Sequence, residues 1–361
     1  MSELLIDVST FVAWLKDRQE LAVIDLRDET AFDKGAPLYA TNIPAARLLD
    51  EIGRFIPRQS VRTVLVDGGD GRARELAETL RENGWPSVTA LDGGVPAWLA
   101  QTDQERPTFD TSGVTFALRI RDEKSTPVLS VPELAKLQAA GQDLVVLDSR
   151  TAEEFAIAHV PGAISVPGAE LVLRFEDVVP SADTLVVVSC AGLPRAIIGA
   201  QSLIDAGVPN RVVYLDDGTR AWREAGFELE TGITAPSGSV SAPSRVAAEH
   251  RIARFSDRIP EIDLETARRW QADSGRTTYL LDVRTPEEFA GNHLPETISA
   301  PGGQLLGVSF RSIAVRGARV VLVDDRSGVR AATTAHWLKR RGFELAILKH
   351  DFRLALVQAV A

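Results

Sequence analysis

Residues 144–155 read LVVLDSRTAEEF. An apolar run of strand character leads into Asp148, Arg150 follows two positions later, and Phe155 closes the stretch. The same cadence recurs at 21–32, LAVIDLRDETAF, and at 278–289, TYLLDVRTPEEF. The three aspartates, Asp25, Asp148 and Asp282, lie 123 and 134 residues apart. That period is the size of a domain and not of a solenoid unit.

Landmarks further along each unit keep step. The second and third units continue with HVPGAISVPG from His159 and HLPETISAPG from His293, and the first has a looser IPAARLL from Ile43. A second apolar run follows in each, TVLV, TLVVV and RVVLV, leading to Asp67, Cys190 and Asp325. Five residues on stands an arginine (Arg72, Arg195, Arg330), and twelve beyond that a glycine (Gly84, Gly207, Gly342). Between Arg195 and Gly207, the stripe Ile197, Ala200, Gln201 and Ile204 has helical spacing, and Gly207 is a helix stop. Ser130-Val131-Pro132-Glu133 is a capping box at a helix start. RVVYL (211–215) reads as a further strand. Strands alternating with helices predict an α/β fold, with a mostly parallel sheet and helices on both faces of each unit. The expected domains are residues 1–105, 125–232 and 245–361, joined by linkers at 106–124 and 233–244.

Composition narrows the function. The chain has 361 residues, of which 45% are hydrophobic and 25% charged, and its net charge is −10. No apolar run approaches the roughly 18 residues of a membrane span. The start, MSELLIDVST, lacks the basic flank and apolar block of a signal peptide. Without a Lys/Arg block, an acidic chain is a poor match for nucleic acid. The expected partners therefore exclude nucleic acid and membrane. There is one cysteine, Cys190, so no disulfide can form within the chain and a thiolate-rich zinc site is excluded. A reducing, cytoplasmic setting fits that usage. The five histidines show no H-x-x-x-H pair, and neither metal nor cofactor is expected.

These motifs resemble the rhodanese family, whose domains carry Asp-x-Arg-x-x-x-Glu-Phe, then His-x-Pro-Gly-Ala, then a single-cysteine loop at a strand end. The matching residues are Asp148, Arg150, Glu154 and Phe155; His159, Pro161, Gly162 and Ala163; and Cys190 to Arg195. The third unit matches the first block with Asp282, Arg284, Glu288 and Phe289. The resemblance implies three tandem rhodanese-like domains and sulfur transfer, from thiosulfate or a persulfide to cyanide or a thiol acceptor.

The residues of the loop suit that chemistry. Cys190 sits between a strand and a helix start, where backbone N–H groups and the positive helix end favour a thiolate. Such surroundings can bring a cysteine from about 8.5 to roughly 3.5–7.5, and Arg195 adds a permanent charge. Cys190 is the expected nucleophile, with Ala191, Gly192, Leu193 and Arg195 around the substrate. Leu193 offers no charge to an anion, and Pro194 removes one donor. Asp67 and Asp325 stand where the other units need a cysteine, and read as helix caps. Asp148 is expected to tie down the loop after its strand, with Arg150 pairing Glu154 at i, i+4. His159 and His293 read as structural, since only one of their units has a cysteine. Trp98 and Trp222 read as packing, with Ala355 at the third position. A scaffold that only binds persulfide is the alternative. A phosphatase is disfavoured, because its related loop is one residue longer.

Overall fold

The run Leu144–Asp148 becomes the central strand of the middle repeat, because both of its faces find apolar cover. Side chains alternate across a strand. Val145 and Leu147 join Val186, Val188, Ile197 and Leu203 in one core cluster. Val146 joins Val187, Val213, Phe155 and Trp222 in another, on the opposite face. The sheet order is Val128–Leu129, Val212–Leu215, Leu185–Ser189, Leu144–Asp148, Ile164–Ser165, and every pairing is parallel. Parallel neighbours need crossovers, which the helices Val131–Ala139, Ala152–Ile157, Phe175–Val178 and Pro194–Asp205 supply, and Gly218–Glu224 follows the last strand.

The computed structural model describes residues 4–37, 39–101, 111–232, 238–255 and 258–352. They fall into two compact units. One takes the residues up to 112, with 264–280 and 308–321; the other takes 113–263, 281–307 and those from 322 onward. The first unit is built on a sheet in the order Leu5–Ile6, Val88–Leu91, Thr63–Val66, Leu21–Asp25, Val315–Arg316, with Ala40–Asn42 also pairing Leu21–Asp25. Only Val315–Arg316 is antiparallel to its neighbour. The third sheet runs Ile298–Ser299, Thr278–Asp282, Arg319–Asp324, Glu344–Lys349. The α/β reading, with mostly parallel sheets, is thus observed in all three repeats.

Local signals act where the sequence places them. Ser130 and Glu133 form the reciprocal capping box. Gly84, Gly207 and Gly342 all take positive φ just past a helix end, which a side chain would disfavour. Trp98 and Trp222 are buried, whereas Ala355 lies outside the described residues. The first connecting stretch holds a helix, Thr111–Lys124, which buries Phe116, Ala117 and Ile120. A second helix, Ala242–Ile252, starts within the other connecting stretch, where the Ser241 hydroxyl accepts from the Ser244 N–H at 3.2 Å.

Phe155 closes the Asp-x-Arg stretch and is fully buried. Phe155→Ala is expected to destabilise the chain by about 3–5 kcal/mol, read as a lower urea midpoint. The exposed Gln142→Ala control is expected to stay within about 0.5 kcal/mol.

Candidate active site

Each repeat spends its Asp-x-Arg pair in one way. Asp148 is fully buried at the end of its strand. It accepts from the Arg150 N–H at 3.1 Å and from the Arg150 guanidinium at 2.9 and 2.7 Å. Arg150 also donates to the Ala158 carbonyl at 2.6 Å. Arg27 repeats this with Asp25 and the Gly35 carbonyl, and Arg284 with Asp282 and the Asn292 carbonyl. The expected Arg150–Glu154 pair does not form, because Arg150 is committed to Asp148. His159 stacks on Phe155 with ring centroids 3.7 Å apart, and its Nδ1 lies 2.8 Å from the Phe155 carbonyl. His293 does the same with Phe289. Both histidines fasten a loop in their repeats.

Glu154 is freed for another role. It shares a capping box with Thr151, and its two carboxylate oxygens accept from Arg195 at 2.5 and 2.8 Å. Arg195 in the first turn of the helix Pro194–Asp205 is therefore a neutralised cation, not a free one. The ion pair, against the cost of burial, lowers the Glu154 pKa to about 2. Gln304 Nε2 adds a hydrogen bond to Glu154 at 3.2 Å. Gln304 belongs to the third repeat, at the position that Glu170 holds in the second. The loops around them meet closely: a Cβ on Gly303 would lie 2.9 Å from the Gly168 nitrogen.

Cys190 follows the strand Leu185–Ser189, and its Sγ lies 3.1 Å from the Gly192 carbonyl and 3.4 Å from the Gly192 N–H. The residue is only 1% exposed. Burial pushes the thiol up from its ordinary value, against the opposing pull of Arg195 and of the Gly192 and Ala196 N–H groups. The S–H···O=C bond to Gly192 exists only in the protonated form and acts in the same direction. Burial thus works against the acidic cysteine expected from the helix start. Desolvation outweighs the helix end and the pull of Arg195, whose charge Glu154 partly offsets. Among the loop residues, Ala191 is exposed, Gly192 turns its carbonyl to the sulfur, and Leu193 packs partly buried against the apolar core. Pro194 occupies the first helical turn and offers no N–H.

The other two repeats fill the cysteine position with acid. Asp67 accepts from the N–H groups of Gly69 and Ala73, both at 2.9 Å, which is the expected helix cap. In the third repeat the neighbouring residue takes that role. Asp324, not Asp325, accepts from the Ala331 N–H at 3.0 Å, while Asp325 pairs with Arg245 at 2.6 Å. Arg330 is fully buried among Glu170 at 2.5 Å, Glu288 at 2.9 Å and Asp324 at 3.2 Å. Burial pushes Asp324 up to about 6, despite the adjacent Arg330.

The rhodanese-like domain family matches residues 8–101, 130–225 and 264–353, which is most of the chain and all three repeats. The chain belongs to the rhodanese-like family. It is similar to the crystal structure of thiosulfate sulfurtransferase from Pseudomonas aeruginosa, with 41% identity and a TM-score of 0.91, covering 96% of this chain and 66% of that one. It is 34% identical over 113 residues to a putative thiosulfate sulfurtransferase, SseB, of Mycobacterium tuberculosis, covering 29% of this chain and 35% of that protein. It is also 37% identical over 105 residues to an HTH-type transcriptional regulator of the same organism, covering 28% of this chain and 43% of that protein. The chain thus matches under half the length of these two relatives. Among the described residues, no helix is long and apolar enough to cross a membrane.

The rhodanese-like loop generates a prediction about its thiol. Iodoacetamide labelling of Cys190 against pH is expected to have its midpoint above that of free cysteine. Glu154→Gln leaves the Arg195 charge uncompensated beside the sulfur and is expected to move that midpoint down. A midpoint below the free thiol in the unaltered chain would contradict this reading of the loop.

Proposed function

We propose that the middle repeat moves sulfane sulfur from thiosulfate or a persulfide to cyanide or a thiol acceptor, through a persulfide on Cys190. The observation that carries this reading is the position of the chain's one thiol. It stands at the strand-to-helix loop of a rhodanese-like repeat, where the two sister repeats have Asp67 and Asp325. A carboxylate cannot store a transferable sulfur, so the chemistry is assigned to the middle repeat alone.

The Cys190 proton leaves first. The thiolate then attacks the outer sulfur of the donor, a new S–S bond forms and the donor's own S–S bond breaks. With thiosulfate the leaving group is sulfite. In the second half, cyanide or a thiolate attacks the outer sulfur of the persulfide. Thiocyanate or a new persulfide departs and the Cys190 thiolate returns. These are two covalent steps with ping-pong kinetics, and neither calls for a metal or cofactor. Ala191, Gly192, Leu193 and Arg195 surround the transferred sulfur, and Arg195 is held there by Glu154. Because Cys190 is buried, the donor gains access by movement of the loop at the exposed Ala191. The domain limits proposed are 1–105, 125–232 and 245–361, with 106–124 and 233–244 between them. A reducing, cytoplasmic setting accords with one reactive thiol.

One observation favours a second reading. A thiol that is 1% exposed and turned to the Gly192 carbonyl suits a module that holds a persulfide for a partner and does not turn over. Steady-state thiosulfate–cyanide kinetics distinguishes the two. The proposal expects thiocyanate production, parallel double-reciprocal lines and complete loss in Cys190→Ser. A persulfide that forms on Cys190 without turnover supports the second reading, and the absence of both overturns sulfur transfer.

A further inference from the structure

Three arginines surround the Cys190 loop, and they differ in how firmly they are held. Arg150 is buried against Asp148, and its side chain is 6% exposed. Arg195 is clamped through both nitrogens by Glu154 and is 20% exposed. Arg220 is 63% exposed and, among the described residues, pairs with Asp217 alone, its Nε lying 2.6 Å from Asp217 Oδ2 and a second guanidinium nitrogen meeting Oδ1. A surface ion pair is worth little and is readily exchanged for another anion. A pair whose arginine is only 20% exposed, as Arg195 is, exchanges far less readily.

The turn that carries Asp217 and Arg220 is fastened to the cysteine loop. The Thr219 N–H donates to the Cys190 carbonyl at 2.9 Å, and the Arg220 N–H to the Ala191 carbonyl at 3.2 Å. Gly218 is pressed against the same loop, since a Cβ there would lie 1.9 Å from the Cys190 carbonyl oxygen. Asp217 Oδ1 lies 3.5 Å from where a Cβ on Gly192 would stand.

Asp217 is also in an unfavourable place for its residue type. The first repeat has Gly93 there, with φ +69°, and Asp217 adopts φ +56°. A side chain in that region costs free energy, although Asp tolerates it better than most. Its carboxylate does not cap the helix it precedes. Its hydrogen bonds go to Arg220.

We propose that Arg220 is the residue of the Cys190 site that recognises the anionic end of a sulfur donor, and that Asp217 competes with the donor for it. Arg220 thus supplies, from the neighbouring turn, the charge that Ala191 and Leu193 do not carry. Asp217 restrains dianions such as thiosulfate more than weakly charged persulfides. This inference rests on the reading of Cys190 as the sulfur-accepting thiol.

The test uses two alkylating probes on the full chain, anionic iodoacetate and neutral iodoacetamide, at one pH. The single cysteine makes the label unambiguous. The ratio of the two rates cancels any change in thiolate fraction. Arg220→Ala is expected to lower the iodoacetate-to-iodoacetamide ratio by about threefold or more, as loss of a steering charge does. Arg220→Lys is expected to restore most of it. Asp217→Asn is expected to raise the ratio, and in the unaltered chain added salt is expected to lower it. Ratios that are unchanged in both Arg220→Ala and Asp217→Asn overturn the proposal. Thiosulfate turnover is measured separately on the unaltered chain, so a failure of sulfur transfer is seen apart from a failure of anion recognition.

Discussion

A carboxylate buried at the end of the central strand is the constraint on which the site depends. An unpaired charge in the interior is costly, and a buried pair persists only where its remaining hydrogen bonds are also met. Asp148 meets that condition with the Arg150 N–H and guanidinium, and Arg150 spends its remaining reach on the Ala158 carbonyl. The strand end is thereby tied to the far end of the helix Ala152–Ile157. Glu154 stands in the first turn of that helix and closes on Arg195. The Cys190 loop is held between this pair and the turn at Gly218.

The three repeats show what the same frame does when its thiol is absent. The first turns the position into a helix cap through Asp67. The third encloses Arg330, the counterpart of Arg195, among carboxylates from two repeats. Glu170 of the middle repeat reaches that arginine, and Gln304 of the third repeat reaches Glu154. The exchange is reciprocal, because Glu170 and Gln304 hold the same place after the Pro-Gly turns of their repeats.

Much of this was legible in the sequence, for identifiable reasons. The α/β fold followed from repeated apolar runs separated by capped helices, and Ser130, Gly207 and Trp222 act as their types suggest. The partner of Glu154 was misread, because the i, i+4 rule needs both residues on the helix, and Arg150 precedes the cap at Thr151. The acidity of Cys190 was misread because burial is not local: the cover over the loop includes Gly218, far along the chain. The Asp324–Asp325 ambiguity is one residue wide, and only the backbone shows which side chain meets the helix. Gln304 has a signal in the aligned PGAE and PGGQ stretches, 167–170 and 301–304. Arg220 was hidden because its partner loop is remote in sequence.

The central claim is that Cys190 is the atom on which sulfur rests between donor and acceptor. Thiosulfate labelled in its outer sulfur, mixed with the full chain without an acceptor, addresses it most directly. The account predicts one labelled sulfur per chain, located on Cys190 by peptide mapping, with unlabelled sulfite released and the label discharged as thiocyanate when cyanide is added. Label that never joins the protein, or that persists on the chain in Cys190→Ser, would contradict it.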